Sequence, residues 1–289
     1  MNVAVTGTGG YLGSHCRNYL RNLGHRVISL TQRPKDSTEV SFHLGQEVAS
    51  HALMGVDALI HGAYDFKALT WRDIQRINVD GSKKLLTAAR AAGAKKIVFI
   101  SSISAFEGCS SLYGKGKMEV EAAAREIGGI ILRPGLIYGD PAQDAVRGLG
   151  RISRLPILPI IDDGSQPMVL VHIEDVCRAV AAALAWPENL SLEPVMVAHP
   201  KPVPFVEIFR TIAAQEGRRL RTFSVSSRLI LAVLKVVERF GIANGLQSDI
   251  LKSILAPNPR LDAAAAERLG LKFYAPLGPV GGLLGFAGK

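Results

Sequence analysis

The chain has 289 residues, 48% of them hydrophobic and 20% charged, with a formal net charge of +9. This describes a soluble globular chain with a sizeable core, either one large domain or a domain plus a lobe. The basic excess suits solubility or anionic ligands such as a phosphate-rich cofactor; the Lys and Arg residues are dispersed with no aromatic–basic module, which argues against nucleic acid.

Short β-branched runs alternate with helical patterns. Strands are expected at 2–7, 25–31, 57–63, 95–102 and 129–135. A helix follows the first strand through "HCRNYLRNLG" to Gly24, and another covers 73–93, with Gly93 as its C-cap. A third carries Lys117 and runs to about Ile127. A weak stretch precedes the strand at 57. After 139 the regularity breaks into the turn-rich "LPILPI" and "DDGSQP". Residues 168–186 return to a strand and a helix. The rest is mostly helical and ends in the Gly/Pro-rich "APLGPVGGLLGFAGK". Buried strands alternating with helices predict an α/β fold: a Rossmann-like doubly wound parallel sheet covered on both faces. A smaller, mainly helical and discontinuous C-terminal substrate lobe completes it. The expected division is a dinucleotide-binding core of 1–139 and 168–198, and a lobe of 140–167 and 199–289.

Cys16, Cys109 and Cys177 are widely separated. They suggest neither a disulfide framework nor a metal site, so no metal is expected and a reducing cytoplasm is the natural compartment. The opening "MNVAVTG" has no basic region followed by an apolar one, so no secretory signal is expected. The apolar "LILAVLKVV" (229–237) contains Lys235 and is too short to span a bilayer, so no stable membrane insertion is expected. With Arg228 and Arg239 beside it, it could lie on a membrane surface; a packed amphipathic helix is the preferred reading.

"VAVTGTGGYLGSH" places Gly7, Gly10 and Gly13 between the first strand and the first helix. A tight turn, a close backbone approach to a pyrophosphate and close helix packing each require glycine there. The helix N-terminus offers free N–H groups to phosphates. Gly7, Thr8, Gly9, Gly10, Tyr11, Leu12 and Gly13 are therefore cofactor-binding candidates. The second strand ends "SLTQRP", without the carboxylate that would hold the ribose of NAD; Thr31, Gln32 and Arg33 stand there, and Asp36 follows only after Pro34. Arg33 could hold a 2′-phosphate, so NADP(H) is the expected cofactor and NAD(H) the alternative.

"SSLYGKGKMEVE" puts Tyr113 and Lys117 one helical turn apart on one face. A free phenol titrates near 10, too high for a base at neutral pH. A neighbouring ammonium and a cationic nicotinamide would both lower that value.

Together "TGTGGYLGSH", "DALIHGA", "NVDGSKKLLTAA", "IVFISSISAF", "YGKGK", "LRPGLIYG", "VHIEDVCRAV" and "DAAAAERLGLKF" resemble the extended-type short-chain dehydrogenases/reductases, the NAD-dependent epimerase/dehydratase family. The resemblance implies Tyr113 as acid/base and Lys117 as holder of the nicotinamide ribose. It places Ala63 under the cofactor, Asn78 as support for the active-site helix and the Pro134 backbone against the nicotinamide. The serine that binds the reacting oxygen aligns on Ser102 or on Ile103; Ser102 is preferred, with Ser104 second. The proline-rich insert usual before the tyrosine is missing, which should leave the site more open. Where relatives carry an arginine for a substrate diphosphate, the count falls on Met168. Arg147, Arg151 and Arg154 could replace it on one helix face, and Arg260 stands before "LDAAAAERLG". The resemblance also implies a homodimer through the two long core helices.

The expected function is an NADP(H)-dependent oxidoreductase acting on a hydroxyl or ketone of a small molecule. A nucleotide-sugar epimerase/dehydratase is the first alternative, and a non-catalytic cofactor-binding sensor or assembly subunit the second.

Overall fold

The computed structural model describes residues 1–139, 154–187, 193–239, 248–258 and 262–274. In chain order the elements are β1 (Asn2–Thr6), α1 (Tyr11–Asn22), β2 (Arg26–Thr31), β3 (Glu39–Ser41), a 3-10 turn (Ser50–Leu53) and β4 (Ala58–His61). Then come α2 (Trp71–Asp73), a π-helical stretch (Ile74–Asp80), α3 (Gly81–Ala91), β5 (Lys96–Ile100), α4 (Leu112–Glu126), β6 (Ile130–Pro134) and β7 (Leu136–Tyr138). β8 (Leu158–Ile161), β9 (Pro167–Met168), β10 (Leu170–His172), α5 (Ile173–Ala185), β11 (Val195–Val197) and β12 (Val203–Pro204) follow. The last are α6 (Phe205–Gln215), β13 (Thr222–Val225), α7 (Ser227–Arg239), α8 (Ser248–Leu255) and α9 (Ala264–Arg268).

Seven strands form one parallel sheet in the order β11-β6-β5-β4-β1-β2-β3. The strand order reverses between β1 and β4, which opens a crevice at the strands' C-terminal ends. Alternation along β1 distributes its side chains: Val3 and Val5 face one core cluster, Ala4 the other. The first cluster is covered by Cys16 and Leu20 of α1 and by Val176 and Val180 of α5. Leu85 and Leu86 of α3 and Val120 of α4 cover the second. A separate cluster, with Leu158, Ile160, Phe205, Phe209 and Ile212, gives the later segments their own core.

Several details depart from the sequence reading. The expected helix at 73–93 is interrupted by the π-helical stretch, while its end behaves as expected: Gly93 takes φ +96°, and Ala94 N–H and Gly93 N–H close back on the Ala89 and Arg90 carbonyls. β3 is a three-residue edge strand with no long alternation to reveal it. Residues 262–274, assigned to the lobe, lie on the core. Ala265 and Ala266 are small enough to pack tightly into the first cluster, and the Tyr274 N–H donates to the Asp175 carboxylate at 2.9 Å. Cys16 and Cys177 meet with sulfurs 3.9 Å apart, both as free thiols.

Candidate active site

The glycine turn follows β1 at the sheet's C-terminal edge. Gly7 has φ +74°, a conformation that disfavours any side chain, and a Cβ there would sit 3.2 Å from the Ala63 nitrogen. A Cβ on Gly13 would collide with the Gly7 carbonyl, so glycine alone lets α1 start so close to β1. Helix α1 begins after Gly10 with no side-chain cap and no acidic residue in its first turn. Its amide end therefore suits an anion.

A buried polar chain ties this turn to the loop after β4. The Thr6 hydroxyl accepts from Gly62 N–H (3.1 Å) and Ala63 N–H (3.0 Å) and lies 2.9 Å from His61 Nδ1. His61 Nε2 lies 2.8 Å from the Ser82 hydroxyl, which donates to the Asn78 carbonyl. With two donors already on Thr6, its proton goes to Nδ1, and His61 is the Nε2–H tautomer. Burial, and then the nearby Lys117 charge, pushes the His61 pKa down to about 3, so it stays neutral. Asn78 accepts from Asp65 N–H (2.7 Å) and donates to the Asp65 carbonyl (3.0 Å). Its side chain thus fixes the loop after β4, rather than the active-site helix as the resemblance implied.

Helix α4 carries the tyrosine and lysine. Its two early glycines mark close approaches: a Cβ on Gly114 would strike the Ser104 carbonyl, and one on Gly116 would lie 3.0 Å from Ile74 in the π-helical stretch. Tyr113 is half-buried, and the Ser102 side chain acts on its phenol. Burial raises the Tyr113 pKa and the Ser102 contact opposes the rise. The folded chain thus raises the phenol's pKa, where the sequence reading expected a neighbouring ammonium to lower it. Lys117 is buried, and its Nζ donates to the Ile100 carbonyl at 2.9 Å. It lies 5.8 Å from the Tyr113 ring centre and 4.9 Å from that of Phe99. Burial pushes its pKa down to about 7, opposed by Glu121 one turn on. Glu121 in turn takes the Ser101 hydroxyl (2.5 Å) and both arms of Arg133 (2.8 and 2.5 Å). Ser101 is thus structural, which leaves Ser102 for the cleft.

Three residues here were not found by the sequence reading. Tyr64 packs edge-on against Tyr113 with centroids 4.9 Å apart, and Phe66 stacks on it at 5.9 Å. Both belong to "HGAYDF", whose aromatics carry no motif of their own. From far along the chain, the Asp249 carboxylate of α8 accepts from Leu112 N–H (2.7 Å) and Tyr113 N–H (3.0 Å). Ser111 caps the same helix through Gly114 N–H at 3.1 Å.

The remaining candidates lie on several elements. Pro134 ends β6, and its carbonyl accepts from Ile103 N–H at 3.0 Å. Ser104 N–H donates to the Ser102 hydroxyl at 3.2 Å. Arg33 is exposed in the turn beyond β2, whereas Asp36 is engaged by Thr38 N–H at 2.8 Å. Met168 sits in β9, packed against the lobe cluster. Arg154 is held by Glu216 (3.0 and 2.7 Å) rather than turned to a ligand, while Arg147, Arg151 and Arg260 lie outside the described residues.

The chain is 33% identical over 197 residues to a ceramide reductase of Caulobacter vibrioides, covering 64% of this chain and 61% of that protein. It therefore spans less than two-thirds of that relative's length. It is 25% identical over 276 residues to a 2-alkyl-3-oxoalkanoate reductase of Stenotrophomonas maltophilia, covering 83% of each. Among solved structures, MoeE5 in complex with UDP-glucuronic acid and NAD matches with a TM-score of 0.74 at 22% identity, over 98% of this chain and 96% of that one. The UDP-N-acetylglucosamine 4-epimerase of Bacillus cereus matches at 0.72 and 18%, over 99% and 97%. At those identities the likeness concerns the fold alone. The sequence profile of one family covers residues 3–198, from within β1 through the last core strand β11, and the chain belongs to that NAD dependent epimerase/dehydratase family.

Proposed function

We propose that this protein is an NADP(H)-dependent oxidoreductase that reduces a ketone, or oxidises the matching hydroxyl, on a small molecule. The observation that carries the reading is Tyr113 one helical turn before buried Lys117, with the Ser102 side chain acting on its phenol, at the same sheet edge as the glycine turn. Two relatives are named as reductases, which favours net redox chemistry over epimerisation. Among the described residues, neither Met168 nor the Glu216-bound Arg154 offers a free cation for a substrate diphosphate.

Gly7 to Gly13 and the start of α1 would hold the pyrophosphate, with Thr8, Gly9, Tyr11 and Leu12 beside it. Arg33 would meet a 2′-phosphate, Ala63 and Pro134 would flank the cofactor, and Lys117 would hold its ribose. When bound, the nicotinamide supplies or accepts the hydride. Ser102 orients the reacting oxygen and Tyr113 gives it a proton. A phenol kept protonated by burial is the form that donates, so at neutral pH the site suits reduction. Lys117, with a pKa brought to about 7, can exchange a proton near that pH. Residues 154–167, 199–239 and 248–258 form the described part of the substrate lobe in this reading, and the protein works as a homodimer in the cytoplasm.

The test is NADPH consumption with a panel of ketones, in wild type and Tyr113→Phe. The substitution should lower kcat by about 10²–10⁴-fold and leave cofactor affinity within a few-fold. A variant keeping more than half the wild-type kcat would sink the assignment.

A further inference from the structure

Helix α7 lies in the lobe and packs only one of its apolar faces. Leu234 is buried and Ile230 and Leu231 are half-buried. Yet Leu229, Val233 and Val236 are 59, 53 and 56% exposed, and Ala232 beside them is exposed too. At 3.6 residues per turn these four fall on one arc of about 100°. Arg228 and Lys235, seven residues apart, share one shoulder of that arc, and both are exposed. The strand pair leading into the helix repeats the pattern. Phe223 of β13 and Ile157 beside β8 are each 52% exposed, with exposed Arg219 and Arg221 next to them.

Three other arginines of the lobe are engaged. Arg154 and Arg218 both pair with Glu216, and Arg210 pairs with Glu207. Among the described residues, the side chains of Arg219, Arg221, Arg228 and Lys235 make no ion pair or hydrogen bond.

We propose that α7 and the adjoining β8–β13 edge form a docking surface for an anionic lipid bilayer. An apolar arc with cations on its shoulder fits the headgroup boundary: the aliphatic side chains enter the acyl edge while the cations meet lipid phosphates. No helix among the described residues is long and apolar enough to cross a membrane, so α7 lies in the plane of the surface. A second copy of the chain is a poorer occupant. A two-fold contact sets a patch against itself, and here it would oppose four unpaired cations to the same four.

Flotation of the full chain tests this, using phosphatidylcholine vesicles with and without about one-third phosphatidylglycerol. The protein should float with the anionic vesicles and at least about tenfold less with the neutral ones. Val233→Asp and the pair Arg228→Glu with Lys235→Glu should each lower partition by about tenfold or more. Binding should weaken as salt rises. Both changes lie on exposed positions, and an unchanged thermal melt establishes that the fold is intact. Absence of flotation by the wild type, or equal flotation by wild type and both variants, would overturn the proposal. So would a dimer in sedimentation that Val233→Asp dissolves while wild type ignores vesicles, since that assigns the face to a second copy.

Discussion

Ser102 and Ser104 stand two residues apart beyond β5; the Ser102 side chain opposes the rise of the Tyr113 pKa, and its hydroxyl receives the Ser104 N–H. A hydrogen bond to a group that becomes charged contributes roughly 1.5–3 kcal/mol, or about ten- to a hundredfold in rate. Ser102→Ala should therefore lower kcat by about that factor, while Ser104→Ala stays near wild type. Steady-state kinetics of both variants decides it, and equal near-normal rates would give the role to another group. At the other end of the cleft, Arg33 is exposed in a turn where β2 ends without a carboxylate. NADP(H) should bind at least about tenfold tighter than NAD(H), one charge-assisted contact being enough. Arg33→Ala should remove most of the difference, and calorimetric titration of both cofactors measures it. These residues were legible because their chemistry is local: a glycine spacing, a strand end, a tyrosine one turn before a lysine. Tyr64, Phe66 and Asp249 were not. The first two are rings packed on Tyr113 with no motif around them, and Asp249 reaches it across 136 positions, a separation that no local pattern encodes.

Among the elements, α4 depends most on a distant partner. Ser111 caps it from within, but the Leu112 and Tyr113 amides are satisfied by Asp249 of α8. The Asp249 helix is itself secured by Glu238, which accepts from Ser248 N–H at 2.6 Å and from its hydroxyl at 2.8 Å. A lost cap costs about 0.5–2 kcal/mol, which for a chain of this size is a few degrees of Tm. Asp249→Ala should show that loss and should also lower kcat, because the amide it releases belongs to Tyr113. Asp249→Asn, which keeps an acceptor, should lie between. An Asp249→Ala enzyme with unchanged kcat and Tm would mean that the contact positions nothing. The strand–helix alternation that predicted the sheet was legible because buried parallel strands read as unbroken apolar runs. β3 and the π-helical stretch were not legible. Three residues at a sheet edge carry too little pattern, and a π-turn uses the same residue types as the α-helix around it.

For the whole molecule, the acid–base site sets a pH dependence of stability. An unfolded lysine titrates near 10.5, whereas burial in the fold brings Lys117 to about 7. Between those values the unfolded chain binds more protons than the folded one, so this group makes stability rise with pH across that window. At pH 7 and below nearly the whole penalty is present; by pH 10 most of it has gone. Lys117→Met has a side chain of similar length without the charge, and Glu121 keeps Ser101 and Arg133 as partners. The variant should melt above wild type by several degrees at pH 7, and the gap should shrink toward zero at pH 10. Buried His61, with its pKa down at about 3, is neutral throughout this window and leaves the comparison to Lys117. The repulsion due to the net charge of +9 also eases as pH rises. It acts on both proteins nearly alike, so the difference between them isolates the lysine. The same variant should lose turnover, since the ammonium that destabilises the fold is the one assigned to the cofactor ribose. Thermal melts of both proteins at pH 7, 8.5 and 10 make the comparison. A gap that is independent of pH, or a variant less stable at pH 7, would mean that Lys117 carries its charge in the fold at little cost.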